Sequence, residues 1–313
     1  MNRREFLSTL GKGASALGTA WLLGGATRLF AQTGPSAGAL SAADAYPDLV
    51  AVKGGGAAAR LDAALAASGG IGRFVRKGAL VVIKPNIGWD VRPEFAANTD
   101  PALVRRLVEL CLAAGARRVA VFDHTCDAWR ACYANSGIEA AAKAAGAEMA
   151  PGHAESYYQA VEVPGARTIG RAKVHELALE ADCLINVPVL KSHGGAGMTA
   201  AMKNLMGMVW DRGAFHSRGL DACIAEAARL RPPDLNILDA GKVMLSGGPR
   251  GNASSRYSDQ RLLVLSTDIV ALDAAAAKTF GPGPAAFEYI GLAARAGLGR
   301  EDLEKLAIRR IEL

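Results

Sequence analysis

Short runs that are apolar at almost every position recur along this chain, and segments with helical spacing separate them. The runs are 79–84 (A-L-V-V-I-K), 118–123 (R-V-A-V-F-D), 183–187, 235–239 and 262–266. A strand that is apolar on both faces is covered on both faces, so the runs predict a largely parallel sheet with helices on each side. Asp100-Pro101 is a helix start, with Asp as the cap and Pro in the first turn. Leu103, Leu107, Leu110, Cys111 and Ala114 then keep helical spacing up to Gly115. Further helices are expected over 136–145, 199–206, 222–230 and 269–278, while residues 147–181 give no clear pattern. The expected fold is α/β. The segment 186–207 offers a place for it to divide into two lobes with a site in the cleft.

Each predicted strand ends in polar residues. Lys84 and Asn86 follow the first, Asp123 and His124 the second, and Lys191 and His193 the third; Asp239, then Thr267 and Asp268, follow the last two. Ligands of open parallel sheets bind outside the carboxyl ends of the strands. Loops are polar in any case, and Asp268 is placed to cap the next helix. Lys84, Lys191 and Lys203, however, bring cations where a bare turn takes Gly, Asn or Asp. That favours one converging site.

The segment 186–207 (N-V-P-V-L-K-S-H-G-G-A-G-M-T-A-A-M-K-N-L-M-G) is the densest in such residues. It reads as a strand, a Gly-rich loop and a helix beginning at Thr199. Backbone N–H groups of such a loop and helix start favour an anion, whether carboxylate, phosphate or sulfate. The motif G-x-x-x-x-G-K-[ST] is absent, as is G-x-G-x-x-G, so neither a P-loop nor a dinucleotide fold is indicated. On this reading Lys84, Asn86, Lys191 and Asn204 bind the anion. His193 and His124 transfer protons, Asp123 orients His124, and Lys203 holds the substrate or a cofactor. His175 reads as a surface or packing residue and His216 as a loop residue. No H-x-x-x-H or H-E-x-x-H pattern marks zinc. Ser192 lacks the G-x-S-x-G context of a nucleophile.

The start of the chain reads as an address. Asn2-Arg3-Arg4-Glu5-Phe6-Leu7, an apolar stretch over 14–25 and a small-residue cut after Ala31 match a twin-arginine export signal. The expected organisation is a signal peptide over 1–31, a flexible lead-in over 32–48 and an α/β domain over 49–313. The twin-arginine translocase is the expected partner and the periplasm or another exported location the destination. No later stretch is long and apolar enough to span a membrane. The formal charge is +6, but residues 1–31 hold four cations against one anion, so about half of it leaves with the signal. With no long Lys/Arg run and only 6% aromatic residues, nucleic acid is not an expected partner. Of five cysteines, Cys126 and Cys132 are close enough in sequence for a disulfide, which suits an oxidising compartment better than a Cys126 thiolate paired with His124. No C-x-x-C exists, which excludes a locally held ferredoxin-type cluster.

The stretches I-K-P-N at 83–86, N-V-P-V-L-K-S-H at 186–193, T-A-A-M-K-N-L-M-G at 199–207 and S-T-D-I-V-A-L-D at 266–273 resemble the domain-of-unknown-function 362 family. The likeness covers most of residues 79–281. Some members also carry a ferredoxin-like cluster domain, whose cysteines this chain lacks. That resemblance implies no particular reaction. The order of strands, histidines and lysine is also similar to the nickel-pincer lactate racemase family. This second resemblance implies attachment of a nicotinate-derived nickel pincer to Lys203, metal binding by His216, and acid and base roles for His124 and His193. The Gly-Gly-Arg-Lys run expected before the lysine is replaced by Thr-Ala-Ala-Met-Lys, and the chain is shorter than those racemases. The resulting expectation is a racemase- or epimerase-like enzyme using His acid/base chemistry on a small carboxylate-bearing substrate. The alternatives are a periplasmic protein that binds a small anion or metal complex, and an accessory to an exported redox complex.

Overall fold

The computed structural model describes residues 46–313. The export signal, its cut after Ala31 and the lead-in through residue 45 lie outside the described residues. The strands are β1 (Leu49–Lys53), β2 (Leu80–Pro85), β3 (Arg118–Val121), β4 (Glu148–Met149), β5 (Tyr158–Glu162), β6 (Arg171–His175), β7 (Cys183–Val187), β8 (Val189–His193), β9 (Gly197–Thr199), β10 (Leu235–Met244), β11 (Tyr257–Ser266) and β12 (Ile308–Glu312). The helices are α1 (Ala57–Ala67), α2 (Pro101–Ala113), α3 (Trp129–Asn135), α4 (Ile138–Ala144), α5 (Glu176–Glu180), α6 (Ala201–Asn204), α7 (Gly213–Arg218), α8 (Leu220–Ala227), α9 (Ile269–Phe280) and α10 (Glu288–Arg295).

Ten strands form one mostly parallel sheet in the order β12-β1-β11-β10-β7-β2-β3-β4, with β8 and β9 joined to it through β10. From β10 to β4 every neighbour is parallel, whereas β11 is antiparallel to both β10 and β1. Side chains on a strand alternate between faces. Val82, Ala120 and Leu184 therefore enter one core with α5, α6, α8, α9 and α10. Val81, Ile83, Val119, Val121 and Ile185 enter a second core with α1, α2, α3 and α4. Both cores are built from apolar side chains, one on each face of the sheet, which is why the runs are apolar throughout.

Helix starts follow side-chain chemistry. Asp100 caps α2 by accepting from the Ala102 N–H, and Asp268 caps α9 by accepting from Val270 and Ala271. Asp239 is spent on the Asp100 and Gly241 N–H groups. These two strand-end aspartates are structural.

Three expectations need correction. Residues 46–313 form one compact unit, so no pair of lobes flanks 186–207. The expected 199–206 helix is only α6, continued by a 3-10 turn over Leu205–Met208, because 197–199 pairs with β8 as β9. The unpatterned 147–181 holds β4, α5 and a separate antiparallel hairpin, β5–β6. Among the described residues no helix is long and apolar enough to cross a membrane.

Candidate functional site

Strands β2 and β7 lie side by side, and the chain leaves them in opposite directions, β2 toward β3 and β7 toward β8 and β10. A crevice opens at the carboxyl end of such a pair. Here it is an open cavity of about 360 Å³. Its wall includes Lys84, Asn86, Asp123, His124, Lys191, His193, Lys203, Asn204 and His216, all nine residues singled out from the sequence. It also includes Trp89, Cys126, Thr199, Gly207 and Arg212. Nothing in the sequence pattern marks Arg212, and Thr199 is marked there only as a helix start.

The nine residues do not play equal parts. Lys84 is fully buried and has three partners: the Asp123 carboxylate at 2.8 Å, the Pro85 carbonyl at 2.7 Å and Asn204 Oδ1 at 3.2 Å. Burial pulls its ammonium down while Asp123 pulls it back up. Asp123 also accepts from the Ile87 N–H at 2.7 Å. This ion pair is closed on itself. Lys84 is therefore not a free anion-binding group, and Asp123 does not orient His124. Gly207 closes over the pair, and a Cβ there would meet Asp123 Oδ1 at 1.9 Å.

Behind the pair runs a row of carboxamides. Lys191 donates to Asn86 Oδ1 at 2.9 Å and Asn86 Nδ2 to Asn204 Oδ1 at 2.8 Å. Asn204 Nδ2 donates to Asn186 Oδ1 at 2.8 Å, and Asn186 Nδ2 to Asn236 Oδ1 at 3.0 Å. Register explains the row, since Lys84, Asn186 and Asn236 are direct neighbours across β2, β7 and β10. Asn86 and Asn204 are thus positioning groups. Lys191 keeps a second bond to the Ala97 carbonyl, and burial lowers it to about 7. Lys203 has no hydrogen-bond or ion-pair partner among the described residues, and burial, together with Lys84 and Arg212, lowers it to about 8. Thr199 is 3% exposed, and its hydroxyl has no partner among the described residues.

The backbone N–H groups of the 193–202 segment expected to hold an anion are, in contrast, engaged within the protein. The loop expected to cradle an anion is the turn of the β8–β9 hairpin, where His193 Nδ1 accepts from Gly195 and Ala196, each at 3.1 Å. The first N–H groups of α6 donate to the buried Asp273 carboxylate, Ala201 at 2.6 Å and Met202 at 3.1 Å. The helix start expected at Thr199 is therefore not left for a ligand. Asp273→Ala is expected to cost about 2–4 kcal/mol, since two buried donors lose their acceptor. Burial raises Asp273 to about 7, above its unfolded value. Its contribution is thus fullest at low pH and falls as pH rises through that value. The loss measured by urea unfolding should be larger at pH 5 than at pH 8.

The two histidines carry opposite tautomers. His124 Nδ1 lies 3.0 Å from the Val209 carbonyl, which only accepts, so Nδ1 carries the proton and Nε2 a lone pair. The ring stacks on Trp210 at 5.0 Å, and burial, then Arg212, lower it below 6.5. The Asp123 carboxylate is engaged by Lys84 and the Ile87 N–H and makes no hydrogen bond to the His124 ring. The carbonyl and Trp210 orient the ring. His193 Nδ1 accepts two N–H groups, so its proton sits on Nε2, and burial with Lys203 and Lys191 lowers it to about 3. His175 is a packing residue, stacked on Phe122 at 4.0 Å.

His216 is exposed on α7. Among the described residues no three His, Cys, Asp or Glu side chains converge where they would hold a metal ion. A metal held by three side chains of this chain alone does not fit the described residues. Cys126 and Cys132 are both free. Cys132 is buried with its thiol aimed at the Gly88 carbonyl and pushed up to about 11 by burial. Cys126 instead faces the cavity beside Arg212, at 3.5 Å. The expected disulfide is absent because the two thiols point to different surroundings.

A family model described as a domain of unknown function, DUF362, matches residues 81–278, which contain all nine of these wall residues. The chain belongs to the DUF362 family. The matched DUF362 region runs from β2 through most of α9 and so includes both strands that flank the cavity. Thylakoid-associated protein sll1697 of Synechocystis sp. is 29% identical, with 74% of this chain and 72% of that protein covered. Two solved structures are more distant. The lactate racemase apoprotein of Thermoanaerobacterium thermosaccharolyticum has 13% identity and a TM-score of 0.39, covering 67% of this chain and 54% of that one. A Thermotoga maritima protein has 12% identity and a TM-score of 0.37, covering 71% and 55%. The DUF362 chain thus spans about half the length of each.

Proposed function

We propose that the cavity moves a proton on a carbon atom of a small carboxylate-bearing substrate, in the manner of a racemase or epimerase. The observation that carries this reading is the opposite tautomers of two neutral histidines on one wall. His124 Nε2 offers a lone pair and acts as base; His193 Nε2 offers a proton and acts as acid. The substrate carboxylate takes the Thr199 hydroxyl and the remaining N–H of Lys191, with the Lys203 amine beside its reacting carbon. Positive charge beside a carboxylate also stabilises the carbanion that forms next to it. Asn86, Asn204, Lys84 and Asp123 hold this wall in place.

Incubation in deuterium oxide with a panel of short hydroxy, oxo and amino acids tests the reading. The expected result is enzyme-dependent deuterium at one carbon of at least one acid, read by mass spectrometry. Binding of an acid without any exchange would replace the enzyme reading with that of an anion-binding protein. The same proposal places the protein outside the cytoplasm, through Arg3 and Arg4. Replacing both by Lys should retain it inside, as cell fractionation would show.

A further inference from the structure

Three lysines reach the cavity, and they differ in what they touch. Lys84 has three partners and Lys191 two. Lys203 has none among the described residues. An amine with no counter-ion, in a cavity already holding Lys191 and Arg212, favours its uncharged form. The downward shift to about 8 agrees with this geometry. A second group also lacks a partner among the described residues: Thr199 Oγ1, 3% exposed and on the same wall. A buried hydroxyl without a partner calls for an explanation, and on a cavity wall a ligand atom supplies one.

We infer that Lys203 is a nucleophile that captures the carbonyl of a small oxo acid as an imine, with Thr199 holding the substrate and His193 serving as the proton relay. The inference rests on the proton-transfer reading above and narrows its substrate to acids bearing a carbonyl. In the capture step the amine lone pair forms the C–N bond, and the carbonyl π pair moves to oxygen. Both amine hydrogens leave with that oxygen as water, His193 relaying a proton to it, and a C=N bond remains. Protonation of the imine nitrogen gives an iminium. When His124 removes a proton from the neighbouring carbon, the iminium accepts the electron pair. No oxidant or reductant is needed.

The test uses the full chain with glyoxylate, pyruvate or 2-oxoglutarate, each in the presence of cyanoborohydride, followed by intact mass and peptide mapping. The expected result is one reduced adduct, on the peptide containing Lys203, from at least one of the three acids. Lys203→Arg should abolish it, and Thr199→Val should lower its yield roughly three- to tenfold. No adduct from any of the three, or an adduct that survives Lys203→Arg, overturns the imine. Deuterium exchange run on the same samples separates the two ideas. Exchange that persists in Lys203→Arg overturns the imine and leaves the proton transfer standing. An adduct at Lys203 without exchange upholds the imine and removes the racemase-like reading.

Discussion

Lys84→Met is expected to destabilise the protein by about 3–5 kcal/mol, the cost of stranding a buried carboxylate. Asp123 is 3% exposed and would retain only the Ile87 N–H, while Asn204 Oδ1 and the Pro85 carbonyl would each lose a donor. Gly207, which lies against both charges, brings no side chain that could replace the ammonium. Urea unfolding should show a lower midpoint with an unchanged slope. The double variant Lys84→Met with Asp123→Leu removes both charges, and its loss should fall well short of the sum of the two single losses. Two single losses that simply add would mean the pair carries no mutual energy in the fold.

The second large effect is on turnover. His124→Gln and His193→Gln should each slow deuterium exchange roughly 10²–10⁴-fold, the usual worth of a positioned acid or base. They should differ in other respects. In His193→Gln the Gly195 and Ala196 N–H groups lose their ring acceptor, so the β8–β9 turn loosens and the Michaelis constant rises as well. His124→Gln leaves that turn intact and should act on kcat alone. The pH profile follows from the shifts. A base must be deprotonated, and His124 lies below 6.5, so exchange should rise through a midpoint under 6.5 and be flat at neutrality. Burial is the larger cause and Arg212 the next, so Arg212→Gln should move that midpoint up. A wild-type midpoint at or above 6.5 would rule out His124 as the base.

Much of this arrangement can be read from residues alone. Strands β2, β3 and β7 are apolar on both faces, and α2 and α9 carry Asp caps, so their positions fall within a residue or two of expectation. The polar residues after the strands converge because a parallel sheet gathers its carboxyl ends on one edge. What is hidden depends on partners far away in the chain. The direction of β11 is one case, since a strand buried on both faces looks the same whichever way it runs. The β8–β9 hairpin is another: Pro188 separates β8 from β7, and pairing with β10 decides that 189–193 is a strand. Lys84 and Lys203 look alike in sequence. Only the fold shows that one is neutralised by a carboxylate 39 positions later while the other has no partner. For the same reason Arg212 does not stand out before the chain is folded, and Thr199 does so only as a helix start.

The carboxamide row has a polarity of its own. Lys191 can only donate, so Asn86 must turn its oxygen toward it, and Asn204, Asn186 and Asn236 inherit that orientation in turn. Four amide dipoles then lie head to tail with their negative ends toward the ammonium, a miniature of the field at a helix carboxyl terminus. Lys191 is thereby supported without a carboxylate at its side, which would compete with any incoming anion. Amides do not titrate. The scaffold behind the cavity keeps the same electrical sense over the whole range in which the groups in front of it gain and lose protons.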